Sequence, residues 1–370
     1  MRIVSLLSLL ALCLTASAQP VVGLGTPGTI RVTGNAEIRV VPDEVVLRFG
    51  VETFDEALEQ TTSANETTIA AVTAAACGLV GAFLVLRKTA LLSDAISHAI
   101  LPGIVLAFFW TENLNSPLLL LAAALTGVLT VGLIEALGRT RLVKQDAAIA
   151  LVFPALFSIG VVLISRYASG VHLDTDAVLL GDPAFSWIRR FEVGGRDLGP
   201  QSLWLMGTVL ALVAAFVTVF YKELKISTFD AALAGALGLA PAAIHYALMT
   251  LVSVVAVGAF DVVGSILVVG LMIAPPAAAW LLTDRLPVLL GLSVGIGVVS
   301  ALSGYWLARG LDVSIAGAMA VMAGVWFAVC LAFAPERGLV AQARRRARQR
   351  VAFAERMLLV HLLHHEHTPE

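Results

Sequence analysis

Asp94 and His98 are the residues whose types and spacing most directly suggest chemistry. They lie in RKTALLSDAISHAILPGIVLAFFW, Arg87 to Trp110, a run that beyond Thr89 is apolar except for Ser93, Asp94, Ser97 and His98. A separation of four puts a carboxylate and an imidazole on one helical face. Pro102, four beyond His98, has no N–H to give the His98 carbonyl, so an extra acceptor is freed on the same turn. A carboxylate, an imidazole and a loosened carbonyl in one apolar helix look like a cation site. The plainer alternative is a hydrogen-bonded Asp–His pair that fixes helix packing.

The element that must position this pair is a membrane-spanning helix. Roughly 20 residues rising about 1.5 Å each cross a hydrocarbon core of about 30 Å. With Lys88 at the surface, Asp94 lies roughly 9 Å deep and His98 roughly 15 Å, near the middle. An ionisable group at that depth costs several kcal/mol unless it is paired, hydrated or bound. The whole chain agrees with this setting. Of 370 residues, 59% are hydrophobic and 14% charged, with a mean hydropathy of +0.91, which excludes a soluble globular protein. The expected fold class is therefore an all-α polytopic membrane protein of about 8–9 spans. The apolar runs fall at roughly 68–86, 91–110, 117–136, 147–164, 202–221, 242–261, 264–282, 287–307 and 314–334. Arg87-Lys88, Arg139/Arg141/Lys144, Lys222/Lys225, Arg285 and the late ARRRARQR then all face one side, which the positive-inside rule makes the cytoplasm. The N-terminal segment is expected outside and the C-terminus inside. The segment 165–201, rich in both signs of charge, leaves room for a re-entrant or extra helix.

SDAISHAILPG resembles the second-helix motif of the ABC metal-ion permeases, membrane subunits that import manganese, zinc or iron. The likeness runs from about Ile69 to Arg350. It implies a permease bundle in the bacterial cytoplasmic (inner) membrane, with Asp94 and His98 contacting the metal as it passes. It also implies a cytoplasmic ATPase subunit, an extracytoplasmic metal-binding protein and a homodimer or paired permease. The metal would be cargo, with no permanently bound cofactor and no nucleic-acid partner. No G-x-x-x-x-G-K-[ST] occurs, so ATP hydrolysis is assigned to another polypeptide. No H-E-x-x-H occurs either, which weighs against an intramembrane metallohydrolase. The alternatives are a siderophore- or cobalamin-type ABC permease, which would not need Asp94 and His98, and a non-functional fusion product.

Two further stretches bear on transport. Tyr221 to Met249, YKELKISTFDAALAGALGLAPAAIHYALM, is cytoplasmic by the span count and resembles the family's coupling segment. Phe229, Asp230, Gly235, Gly238 and Leu239 are its candidate docking residues, the two glycines allowing close approach of another surface. The plain reading is a solvated connector. Pro275 and Pro276 near the middle of the seventh span deprive the Leu271 and Met272 carbonyls of their usual donors, which kinks or unwinds the helix. With Pro102 they are candidates to line the path. Glu135 and Asp261, near span ends, are read as hydrated, and His245 as a packing residue.

The ends differ from the middle. Residues 1–18 read as a signal peptide closing on Ala16-Ser17-Ala18, or as an uncleaved anchor. Residues 19–64 hold a truncated fragment resembling the start of a SIMPL domain. Its TIRVTGNAEIRVVPDEVVLRFGVE alternates like a strand and is the only β-like text in the chain. The join with the permease domain, 65–335, is expected where polar QTTSANETT gives way to an apolar helix. Residues 336–370 form a basic cytoplasmic tail suited to anionic lipid. Its end resembles the first helix of a truncated winged-helix domain, with His361, His364, His365 and His367 as a chance cluster or a chelating one. The three cysteines have no metal-type spacing and suggest no disulfides.

Overall fold

The computed structural model describes residues 56–111, 117–140, 142–167, 190–193 and 196–366. The chain divides into two compact units, Met1–Gln60 and Thr61–Glu370. The signal-peptide and SIMPL-like readings of residues 1–55 lie outside the described residues. The second unit is a bundle of helices, and among the described residues nine are long and apolar enough to cross a membrane. The all-α polytopic fold read from hydropathy is the one observed.

The first helix, α1 (Glu56–Leu86), begins well before its expected start. The polar stretch read as a join is helical because its hydroxyls are satisfied within the helix. Thr67 Oγ1 donates to the Ser63 carbonyl and Thr68 Oγ1 to the Ala64 carbonyl, each at 2.7 Å. Two short helices, α2 (Leu91–Ala99) and α3 (Leu101–Thr111), then make up the second span, broken at Ile100. The break has a simple cause: Pro102 cannot donate, and the Gly103 N–H turns back to the Ile100 carbonyl at 3.0 Å. Next come α4 (Pro117–Arg139) and α5 (Gln145–Tyr167).

An antiparallel hairpin follows, β1 (Arg190–Val193) with β2 (Arg196–Pro200), Glu192 opposite Asp197. It corrects the reading that β-like text occurs only near the N-terminus. The charge count of this segment obscured two short runs, RFEV and RDLGP, that pair as strands. The remaining elements are α6 (Gln201–Val219), α7 (Tyr221–Phe229), α8 (Ala231–Ala236), α9 (Pro241–Val263), α10 (Ser265–Leu282), α11 (Leu286–Leu311), α12 (Ile315–Phe333) and α13 (Leu339–Glu366).

Two groups of helices form the bundle. α2 to α5 pack on one another, α10 to α12 pack on one another, and α9 joins the groups by touching α2, α4 and α10. In apolar surroundings helices associate through close backbone approach rather than through hydrophobic burial. The contacts show this directly. A Cβ on Gly81 of α1 would lie 2.1 Å from the Met272 carbonyl oxygen of α10, so only glycine fits there. That carbonyl is the one Pro276 leaves without a donor. The double proline therefore does not unwind α10, which is continuous from Ser265 to Leu282. The freed backbone is buried against another helix instead. Gly127 of α4 plays the same part beneath α9, a Cβ there falling 1.9 Å from Ser253 Oγ and 3.1 Å from Ile96 of α2. That three-helix contact fixes α2 in place. The exposed tail helix α13 is tied at its start by Arg337, which stacks 4.3 Å from the Trp280 ring and pairs with Asp284.

Candidate functional site

α2 carries two polar faces with different fates. Ser93 and Ser97 are buried and donate to the Ala90 and Ser93 carbonyls at 2.8 and 2.9 Å, so both are spent inside the helix. Asp94 and His98 lie beside them, with side chains 43% and 31% exposed. Their closest approach, His98 Nε2 to Asp94 Oδ1, is 3.5 Å, longer than a good hydrogen bond. Among the described residues Asp94 has no other ionic or hydrogen-bond partner. His98 otherwise meets only the rings of Phe153 and Phe157 on α5, with centroids 6.1 and 6.4 Å away. The sequence reading thus placed the pair correctly on one face, and the structure leaves its lone pairs unspent. Two groups do not saturate a metal ion, and no cluster of three or more His, Cys, Asp or Glu side chains occurs among the described residues.

The candidate path prolines are all buried within the chain: Pro102 at the start of α3, Pro275 and Pro276 inside α10. The docking segment is open. Phe229 at the end of α7, Leu233 within α8 and Leu237 just after it are exposed by 60%, 49% and 60%. Asp230 caps α8, accepting from the Leu233 N–H at 2.9 Å. The two glycines have separate roles. Gly238, at φ +77°, makes the left-handed turn after α8, where Leu239 N–H reaches the Ala234 carbonyl and Gly238 N–H the Gly235 carbonyl. Gly235 faces open space, with nothing within 4 Å of a Cβ placed on it.

One cluster was missed by sequence reading. Sequence alone reads Glu135 as hydrated and His245 as packing, but the structure joins them. His245 Nε2 bonds Glu135 Oε1, and Tyr246 donates to Glu135 Oε2 at 2.6 Å. Arg87 Nη1 donates to His245 Nδ1 at 2.8 Å. A guanidinium only donates, so Nδ1 accepts from Arg87 while Nε2 faces the carboxylate. Arg87 also reaches Ser227 Oγ at 3.1 Å and Thr228 Oγ1 at 3.2 Å, and burial lowers its pKa from the ordinary value. Glu135 and His245 stand 110 residues apart, so no local spacing could reveal them. The one signal in the sequence is that Arg87, Glu135 and His245 fall at span ends that the positive-inside rule puts on one side. Asp261 is exposed, and the side chains of His361, His364 and His365 lie outside the described residues, as does His367.

A bundle of membrane-length helices with a half-exposed carboxylate–imidazole pair inside one span defines a membrane transport protein. The chain belongs to the ABC 3 transport family, whose model matches residues 60–334. It is 47% identical over 269 residues to the manganese transport system membrane protein MntD of Bacillus subtilis, covering 73% of this chain and 91% of that one. It is 47% identical over 302 residues to the zinc transport system membrane protein TroD of Treponema pallidum, covering 82% of each. Among solved structures, PsaBC from Streptococcus pneumoniae in complex with Fab aligns with a TM-score of 0.62 at 28% identity, covering 74% of this chain and 92% of that one.

Proposed function

We infer that this chain is the membrane-spanning permease subunit of an ABC importer that brings a divalent transition metal into the cytoplasm, with Asp94 and His98 contacting the ion as it passes. The observation that carries this is the unspent state of the pair. A carboxylate 43% exposed, in the first turn of an apolar span, is tolerated only beside water, a partner or a cation. Relatives named for manganese and for zinc support a metal cargo and do not separate the two. Oxygen and imidazole donors accept either, as they would iron. Two ligands from one chain are too few, so a second permease copy or a paired permease completes the site. Pro102, Pro275 and Pro276 shape the helices around that path.

Phe229, Asp230, Gly235, Gly238 and Leu239 belong to the segment that docks on the cytoplasmic ATPase, with an extracytoplasmic binding protein delivering cargo on the other side. The N-terminal segment is outside and the arginine-rich tail inside, against anionic lipid. Residues 1–18 act as a signal peptide, and residues 19–62, most of the SIMPL-like fragment, are dispensable for transport.

The test is co-expression with ATPase and binding protein, followed by elemental analysis of the cells. Manganese, zinc or iron should accumulate with the intact permease; no accumulation of any of them would sink the metal reading. Gly235→Trp projects into open space in the folded chain, so it should leave the bundle intact and abolish transport by obstructing the docked surface. Full uptake by that variant would remove docking from this segment.

A further inference from the structure

Arg87 stands where three elements meet. It is the last residue of the α1 helical turn, and the chain then reverses in a Schellman arrangement: Lys88, at φ +60°, donates to the Val85 carbonyl at 3.1 Å, and Thr89 to the Leu84 carbonyl at 2.9 Å. That closed turn leaves three residues, 88–90, between Arg87 and the start of α2, on which Asp94 occupies the first turn. Arg87 is thus held close to the helix that bears the metal pair.

Its side chain looks the other way. Nε and Nη2 donate to Thr228 Oγ1 and Ser227 Oγ, in the last turn of α7, directly before the exposed Phe229–Leu239 segment. Nη1 donates to His245 Nδ1 on α9, and His245 is itself held by Glu135 of α4. Three N–H groups of one planar fork thus serve three acceptors on two other elements. A lysine, with a single compact head on a flexible stem, does not reproduce that fork. The junction is half-buried and membrane-adjacent, where such bonds are less exposed to competing water.

We propose that Arg87 is a positioning residue that carries movement of the ATPase-docking segment into the helix bearing Asp94 and His98, through its three-way junction of α1, α7 and α9. This rests on the reading of Phe229–Leu239 as the docking segment. Displacing α7 pulls on the guanidinium through two hydroxyls, and the short closed turn passes that displacement to α2. His245 and Glu135 give the fork its fixed end.

The experiment uses the full transporter, with its ATPase and binding protein, in lipid nanodiscs and proteoliposomes. In a cysteine-free background an environment-sensitive fluorophore is placed either on Lys225 of α7 or on Leu91 of α2, both exposed and both outside the docking segment. Two variants are compared with the unsubstituted chain: Arg87→Lys, which keeps the charge, and Ser227→Ala with Thr228→Val, which removes the α7 acceptors and leaves Arg87 in place. The Lys225 probe should still respond to ATP and vanadate in both variants. The Leu91 probe should lose its response, and manganese or zinc moved per ATP hydrolysed should fall by about tenfold or more, within the range of ordinary coupling free energies. A normal Leu91 response in either variant overturns the proposal. So does silence of both probes with the ATPase lost on purification, because Arg87 would then serve docking or folding rather than transmission. The probes respond whatever the cargo, so absent metal uptake by the unsubstituted transporter would strike the proposed function separately from the role of Arg87.

Discussion

Among the described residues the bundle holds two carboxylate–imidazole pairs, and they are opposites. Glu135–His245 is assembled from α4 and α9, and both imidazole nitrogens and both carboxylate oxygens are occupied, by Arg87, by one another and by Tyr246. Asp94–His98 comes from one helix, sits at 3.5 Å and has two phenylalanine rings for company. A polar group that is fully satisfied is bound into the fold; one that is not must find its partner elsewhere. Residue types alone would have ranked the two pairs equally. The count of spent lone pairs separates them: the first pair is used up inside the fold, and the second keeps donors to spare, as the proposed metal contact requires.

Four experiments press on this contrast. The largest effect is expected from Asp94→Asn and His98→Leu. Each should lower metal uptake by at least the roughly 10–100-fold that even outer-shell substitutions cost a metal site. Membrane abundance should stay near normal, because so little of the fold depends on the pair. Loss of abundance in step with uptake would instead make the pair structural, and normal uptake by both variants would end its claim to the path.

Metal itself provides the next difference. At about 100 times its dissociation constant, a bound ion stabilises the folded state by about 2.7 kcal/mol. Thermal unfolding of the complex should therefore move upward with added manganese or zinc, and chelator should reverse the shift. Asp94→Asn should abolish this response and His245→Leu should keep it. A response lost in both would mean that the two regions do not divide the work as described.

His245→Leu should act on stability instead. It strands Arg87 and Glu135 in a half-buried junction, and leaving such groups unsatisfied costs about 1–3 kcal/mol. A lower unfolding midpoint is expected, with the metal concentration for half-maximal uptake little changed. A changed metal preference would bring Glu135–His245 into the translocation path.

The smallest effect is a pairwise one. A double-mutant cycle across Glu135 and His245 in metal-free protein should give a favourable coupling of about 0.6 kcal/mol or somewhat more, the usual scale for hydrogen bonds inside membrane bundles. The same cycle across Asp94 and His98 should give a coupling close to zero, as is common for partly exposed ion pairs. Equal couplings would erase the distinction.

Much of this protein was legible in its sequence. The nine spans came from hydropathy because each must fill about 30 Å of hydrocarbon with an unbroken apolar run. Asp94 and His98 came from a four-residue spacing, since a helix turns local order directly into a shared face. The docking residues are read from the segment's length and its resemblance to the family's coupling segment, and of them Phe229, Asp230, Gly235 and Gly238 are exposed. Where the reading slipped, the cause was again local. Hydropathy began the first span at 68 because it cannot see the side-chain-to-backbone bonds that let Thr67 and Thr68 stay helical.

Tertiary structure decided whatever depends on residues distant in sequence. Pro275 and Pro276 look like helix breakers until Gly81, nearly two hundred positions earlier, covers the carbonyl that Pro276 leaves free. Glu135 and His245 look like two unrelated end-of-span residues until α4 and α9 cross at Gly127 and Ser253 and bring them together. Arg87 looks like one more positive-inside charge until three acceptors from two other elements surround it. Sequence determines local periodicity and the depth of each group in the membrane. Which polar groups find a partner is settled only when the helices pack, because close backbone approach and hydrogen-bond saturation are properties of pairs of elements.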